Sequence, residues 1–393
     1  MAKLADATKD LTTAGRLLIR RLIRANPNPA EIEPDAAAFE SAASALLAAA
    51  PPGLIASFDF FAVPCSQAPW FDTGLYLPKG AHITTLAVGR TWLARSLDIW
   101  VGAHFQLWFR IGDTGEAFRG TRRSHGFSVP EAGRLHLASY FPGEWSDREG
   151  HLATDPKEYR RVQGTITVLV IRWQEPPETA LPRLAATGDV DGMLAGEQDR
   201  LANAPAAPKD WSYLWTLGPA EIFHAKPPPS PARHIMCRTC RDVGILRKPV
   251  SMPLTASTRL TWRWRIDALP STLREDTIPT HDYLSIAVEF DDGQDLSYYW
   301  SAVLPPGTIF RCPLPTWKNR ETHMVLRSGP TGLGRWQTES RLLLGDYATA
   351  IGSPPTRIVA VWLIANSLFQ RREGRCEYAD ITIETPEDIV AVS

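Results

Sequence analysis

The chain has almost no net charge: 42 Lys and Arg stand against 43 Asp and Glu, leaving −1 over 393 residues. Without a basic excess, nucleic acid and anionic membrane surfaces are not expected partners. No run approaches the ~18 apolar residues of a membrane span. The N-terminal apolar residues Leu17, Leu18 and Ile19 are broken up by Arg16, Arg20, Arg21 and Arg24, which argues against an export signal. Cysteine is sparse and odd in number (Cys65, Cys237, Cys240, Cys312, Cys376), a usage that fits reduced thiols. These absences set the expectation of a cytoplasmic chain.

Signature loops are lacking too. Gly329–Gly334 is glycine-rich but has no strand–turn–helix setting, so no phosphate loop or dinucleotide fingerprint is present. Ser128, Ser328 and Ser367 do not sit in nucleophile elbows. One stretch has metal-like spacing, His234-x-x-Cys237-x-x-Cys240, with His224 as a distant fourth donor. A zinc site needs four ligands, and three local ones do not establish it. No metal and no cofactor are expected.

What the chain has in quantity is proline (33) and tryptophan (14), with many short apolar runs between turns, a pattern of turn-rich β structure. Residues 1–53 read as a helical arm. Leu11, Leu18 and Leu22, widened by Ile19 and Ile23, make one helical stripe, and Asp35 can cap a second, Ala-rich helix from about Ala36 to Ala50. Residues 54–175 carry strand-like runs at Leu54–Val63, His82–Ala87, Leu97–Val101, Gln106–Arg110, Leu135–Phe141 and Thr165–Trp173, as in a β-sandwich. Residues 176–232 are a proline-punctuated linker with a short helix at Met193–Leu201. From 233 to 393 a second β unit begins. Leu260, Trp262, Trp264 and Ile266 alternate with Thr261, Arg263, Arg265 and Asp267, and Leu284, Ile286, Val288 and Phe290 alternate in the same way. Period two means one buried and one polar face. The fold class is therefore mainly β: two antiparallel sandwiches of jelly-roll or lectin-like type, with a helical arm and a partly helical linker.

Two resemblances refine this. Trp70-Phe71-Asp72-Thr73-Gly74-Leu75-Tyr76-Leu77-Pro78-Lys79-Gly80, followed by Ala87-Val88-Gly89-Arg90-Thr91-Trp92, resembles the opening of the PA-I galactophilic lectin and related galactose-binding-like sandwiches. That likeness implies the fold of residues 54–175 and, in the lectin, a calcium-held sugar site. The matching loop here has Asp147, Glu149 and Asp155 but is crowded by Arg148, Lys157, Arg160 and Arg161. Calcium wants six to eight oxygens, so the fold is expected without the ion. In the second half, Trp262-Arg263-Trp264, His281-Asp282-Tyr283, Tyr299-Trp300, Val325–Gly329, Trp336, Glu339-x-Arg341, Asp346-Tyr347 and Tyr378-x-Asp380-Ile381 resemble domain of unknown function family 3047 over about 254–383. The resemblance implies a lectin-like β-sandwich. Where that family has an acidic pair and an acidic loop, this chain has His281 and Ala365–Gln370.

Three functional readings follow. In the first, a carbohydrate or other polyhydroxylated small molecule is recognised by the second sandwich. Trp262, Trp264, Tyr299 and Trp336 would be platforms, with Asp282, Arg327, Glu339 and Arg341 as polar readers. The second is a cofactor-independent lyase, isomerase or cyclase on a glycosidic or apolar, terpenoid-like substrate. His281, Asp282, Glu339 and Asp346 would supply acid and base. The structural counterpart of that set is a network in which Arg327 or Arg341 pairs with Asp346 or Glu339 and pins the glycine-rich loop to the sheet. The third is an assembly subunit, a homo-oligomer joined through the N-terminal helices.

Overall fold

Asp35 opens the first helix as its side chain implies: Oδ1 accepts from the backbone N–H groups of Ala37 and Ala38 at 2.9 and 3.2 Å, starting α1 (Ala36–Ala48). The computed structural model describes residues 12–17, 33–140, 145–226 and 234–393, and the stripe expected of Leu11, Leu18, Ile19, Leu22 and Ile23 lies outside them. The chain divides into two compact units, one of residues 20–204 and one of residues 1–19 with 205–393. No helix among the described residues is long and apolar enough to cross a membrane.

The unit of residues 20–204 is built on strands β1 (Ile55–Pro64), β2 (Trp70–Leu77), β3 (His82–Ala94), β4 (Ile99–Gly102), β5 (Leu107–Ile111), β6 (Phe118–Arg119), β7 (Ser124–Ser128), β8 (Gly133–Ser139) and β9 (Gln163–Trp173). One sheet runs β1-β9-β3-β4, with β7 also on β3, and the other β2-β8-β5-β6. Period two explains the central strands. Ile83 and Ala87 of β3 and Ile166, Val168 and Val170 of β9 face the second sheet, while Leu86, Val88, Leu169, Ile171 and Trp173 face the other way. That second face is also buried. It is covered by α1, by α3 (Pro177–Ala185) and by α4 (Met193–Asn203), through Phe39, Leu46, Leu181, Leu184, Met193 and Leu194; the short α2 is Ala103–Gln106. Residues 176–204, which sequence composition marks as connector, thus contribute two packed helices. At Gly89, β3 and β9 approach closely. It has φ +124°, and a Cβ there would lie 2.2 Å from the carbonyl oxygen of Thr165, so only glycine fits without moving the sheet.

In this unit His125 of β7 lies among Phe109, Phe118 and Phe127. Burial, together with the cations of Arg200 and Arg119 and against the opposing pull of Glu197, lowers its pKa to about 4. A depressed imidazole pKa means the unfolded chain takes up the proton first. Stability from this group is present above pH ~6.5 and is lost as pH falls toward ~4. Urea unfolding followed from pH 7.5 to 4 should show this slope, and His125→Phe should flatten it. An unchanged slope in the variant would refute the assignment.

The second unit holds β10 (Ser212–Tyr213), β11 (Phe223–Ala225), β12 (Ile235–Cys240), β13 (Val243–Pro253), β14 (Arg259–Ala268), β15 (Tyr283–Phe290), β16 (Asp295–Ser301), β17 (Ile309–Arg311), β18 (Glu321–Ser328), β19 (Gln337–Leu342), β20 (Arg357–Asn366), β21 (Glu373–Glu384) and β22 (Ile389–Ala391). Seven strands in the order β10-β13-β20-β15-β16-β18-β17 face six in the order β11-β12-β21-β14-β19, with β22 on β21. Pairing is antiparallel except between β16 and β18, which are parallel. The apolar sets of β14 and β15 meet in the core, together with Tyr298, Trp300, Val361, Leu363 and Tyr378. Helix α5 (Leu343–Ala350) closes one end, with Tyr347 against Phe290 at 4.8 Å and its hydroxyl on Asp292.

Candidate functional site

On β14 the alternation that buries Trp262 and Trp264 turns Arg263 and Arg265 to the outer face. Strand β21 and residues flanking β11, β12 and β19 contribute to what lies there. Arg263 donates to Asp380 Oδ2 of β21 at 3.0 Å. Arg265 bridges Asp267 (3.0 and 3.1 Å) and Glu377 (2.8 Å). Lys226 also reaches Glu377, at 2.9 and 3.2 Å. Trp336, just ahead of the edge strand β19, folds over this array. The Arg263 and Arg265 guanidinium carbons lie 5.0 and 5.8 Å from its ring, and the His234 imidazole 5.2 Å. The result is a half-buried indole set among paired cations and carboxylates. Such a surface offers an apolar ring face next to fixed donors and acceptors.

The glycine-rich loop and its acidic residues are organised differently. Arg327 donates from Nε to Glu339 Oε1 at 2.5 Å, and the Trp264 indole N–H reaches the same oxygen at 3.1 Å. Arg341 grips Asp346 with two bonds of 2.7 and 2.6 Å, and Tyr298 donates to Asp346 Oδ2 at 2.9 Å. Each carboxylate is therefore tied to an arginine and to a buried aromatic donor. This is the pinning network anticipated for Arg327, Glu339, Arg341 and Asp346. Charge-assisted pairs of this kind fix the orientation of both partners.

Three of the four expected platforms require correction. Trp262, Trp264 and Tyr299 are 0–1 % exposed. The two tryptophans face the core because the apolar half of the β14 alternation packs on the opposite sheet. Tyr299 faces the other side of its sheet, yet it is covered there by residues 269–282. Ser301 Oγ and the backbone N–H of Ala302 donate to Glu275, at 2.5 and 2.6 Å, and the Tyr299 hydroxyl lies 3.5 Å from the same side chain. Trp336 alone of the four keeps partial exposure.

His281 and Asp282 are both fully buried, which corrects their reading as a substrate-facing acid and base. They also diverge. Asp282 accepts from the backbone N–H groups of Phe369 and Gln370 at 3.0 and 2.5 Å, so it anchors the 365–370 loop. Burial pushes its pKa up to about 7 against the pull of those bonds. His281 turns toward the Glu275 carbonyl instead. Glu275 itself escaped sequence reasoning. It is buried, with its pKa raised to about 7 by burial, and it lies in an irregular polar stretch where no periodicity marks it. The His234/Cys237/Cys240 spacing does not assemble a ligand set. In β12 the side chains alternate, so Cys237 points inward opposite Cys376, while Cys240 is exposed.

Residues 230–382 match the model of a family described as "Protein of unknown function (DUF3047)", beginning earlier than the resemblance read from 254–383. No curated protein matches the chain. Among solved structures, the chain is similar to the N-terminal domain of EclA, a PllA-like lectin, with 21% identity over 31% of this chain and 99% of that one, TM-score 0.24. It is similar to the xyloglucanase domain of NopAA, a type three effector from Sinorhizobium fredii in complex with cellobiose, with 6% identity, 46% and 94% coverage, and TM-score 0.29. It is also similar to the CBM22-1–CBM22-2 tandem domain of Paenibacillus barcinonensis Xyn10C, with 10% identity, 85% and 93% coverage, and TM-score 0.23.

Proposed function

We propose that the second unit recognises a polyhydroxylated ligand of the carbohydrate class on the outer face of its six-stranded sheet, with Trp336 as the stacking surface. The observation that carries this reading is the half-buried Trp336 ring set among Arg263, Arg265, Lys226, Glu377 and Asp380. A sugar ring presents axial C–H groups on one face and hydroxyls around its rim. The indole takes the first, and the fixed arginine–carboxylate pairs offer donors and acceptors to the second. Because those pairs are already formed, little side-chain freedom remains to be lost on binding. The acid–base alternative draws no comparable support, since Glu339 and Asp346 are locked in arginine pairs and His281 and Asp282 are buried.

A glycan array followed by calorimetry tests the proposal. The intact chain should bind at least one oligosaccharide class, and Trp336→Ala should weaken that binding about tenfold, the loss of one stacking contact of about 1.4 kcal/mol. The unfolding midpoint should hardly move, because Trp336 is not part of the buried core. Failure of every glycan to bind, or binding indifferent to Trp336→Ala, would sink the reading.

A further inference from the structure

The seven-stranded sheet has an outer face that should be wet but is not. Along β15, β16 and β18 the side chains that turn away from the core include Tyr283, Ser285, Asp295, Ser297, Tyr299, Glu321 and His323, and all are buried. Two segments cover them, residues 269–282 and the stretch running through β17 to Trp317, whose ring meets Trp362 at 6.1 Å. Beneath this cover sit His281, Cys312, Glu321 and His323. One donor atom from each lies within 4.8 Å of all the others, and none of the four is more than 3 % exposed.

The local architecture explains how they converge. Glu321 and His323 are two apart on β18 and so share a face. Cys312 follows the edge strand β17 and donates its backbone N–H to the Glu321 carbonyl at 3.0 Å, which sets its side chain beside theirs. His281 enters from the segment just before β15. Its Nδ1 makes a 2.6 Å hydrogen bond with the Glu275 carbonyl, which leaves Nε2 as the lone-pair nitrogen, 3.3 Å from Cys312 Sγ. Tyr283 donates to Glu321 Oε1 at 3.0 Å and leaves Oε2 turned to the cluster, 3.4 Å from His323 Nε2.

His323 is the telling residue. Phe310 stacks on its ring at 4.9 Å, and His281 and Tyr283 meet it edge-on. Its Nε2 faces only the Glu321 carboxylate, at 3.4 Å, its Nδ1 makes no hydrogen bond, and the residue is 0 % exposed. An imidazole buried with a ring nitrogen unmatched is costly unless something else takes the lone pair.

We propose that His281, Cys312, Glu321 and His323 form a closed, four-ligand site for a divalent transition metal of the zinc class. Four protein donors of N, N, S and O type suit zinc and exclude calcium and magnesium, which demand oxygen. Bonds of zinc to such donors put neighbouring ligand atoms about 3.3–3.8 Å apart in a tetrahedron, and two of the donor pairs here stand at 3.3 and 3.4 Å. Charge balances as well: a Cys312 thiolate and the Glu321 carboxylate together offset a doubly charged ion in a dry site. The thiol proton leaves as the metal binds. The His281–Glu275 carbonyl bond and the Tyr283–Glu321 bond supply the outer contacts that orient metal ligands. With all four positions filled by protein and no exposed face, the ion's role is to clamp the two covering segments to the sheet. This site is separate from the Trp336 face, and its test is independent of any glycan.

The experiment is metal analysis of the full chain, purified under reducing conditions without chelator. About one zinc per chain is expected. Chain produced in cobalt-supplemented medium should be coloured and show thiolate-to-cobalt charge transfer. X-ray absorption of that sample should give one sulfur and three nitrogen or oxygen neighbours. Cys312→Ser and His323→Gln should each lower metal content about tenfold or more, while Cys240→Ser, at the exposed cysteine, should retain it. Substoichiometric zinc and cobalt in the wild-type chain would overturn the proposal. So would two or more sulfur neighbours, or full metal content in both variants. The absorption measurement decides the matter even if the variants do not fold.

Discussion

Trp264→Ala is expected to destabilise the second unit by about 3–5 kcal/mol, the range for deleting a large buried ring. The side chain is 0 % exposed, packs on Trp262 at 5.9 Å and Trp300 at 6.0 Å, and gives its only N–H to Glu339. Removing it leaves a cavity between the two sheets that rigid strands on both sides cannot close. It also strips a donor from a carboxylate that Arg327 alone must then hold. Trp264→Phe retains most of the ring volume and loses only the hydrogen bond, so a smaller loss of about 1–2 kcal/mol is expected. Urea denaturation of the two variants beside the wild type measures both. If Trp264→Ala cost less than about 1 kcal/mol, the ring would have to be a surface feature, and the platform role first expected of it would return. The contrast with Trp336→Ala is informative: one tryptophan should affect stability alone and the other binding alone.

Asp346→Ala carries the second large effect. Asp346 receives two hydrogen bonds from Arg341 and one from the buried Tyr298 hydroxyl. Burial, reinforced by the Asp346 charge, raises the Tyr298 pKa far above its usual value, so this hydroxyl stays a donor at every pH the fold survives. Truncating the carboxylate strands a guanidinium and a hydroxyl at once. The side chain of Arg341 retains 33% exposure, so water recovers part of the loss. About 2–3 kcal/mol is expected, below the 3–5 of a fully buried pair. In a double-mutant cycle with Arg341→Ala the two losses should fall well short of additive, because the pair acts as one unit. Strict additivity would show that Asp346 is held by something other than Arg341. A catalytic Asp346 makes the opposite forecast for Asp346→Asn, namely near-wild-type stability with a lost activity.

Much of this architecture is legible without coordinates, because it rests on short-range rules. The alternation Leu260, Trp262, Trp264, Ile266 against Thr261, Arg263, Arg265 follows from the geometry of an extended chain, and it correctly separates a core face from a polar one on β14. Asp35 announces a helix start through its side-chain oxygen. Glu339 and Arg341 share a face because they are two apart on a strand, and the arginine–carboxylate pairing around the glycine-rich loop needs only nearby partners.

Other features depend on what folds over a face, which period two does not reveal. The β15 pattern reads as one buried face and one polar face, yet both are buried, since residues 269–282 return across the outer side. His281 and Asp282 look like a chemical pair in the sequence, but successive residues beside a strand point apart, one to the Glu275 carbonyl and one to the 369–370 backbone. The metal-like spacing at His234–Cys240 fails for the same reason, as a strand sends Cys237 and Cys240 to opposite faces. The quartet that does converge draws on positions 281, 312, 321 and 323, from three segments with no local motif. Sequence by itself determined the strands, their faces and the loop network, because each depends on bonds between near neighbours. The tertiary structure alone decided which polar face stays open around Trp336 and which is sealed over His323, because that depends on where distant segments come to rest.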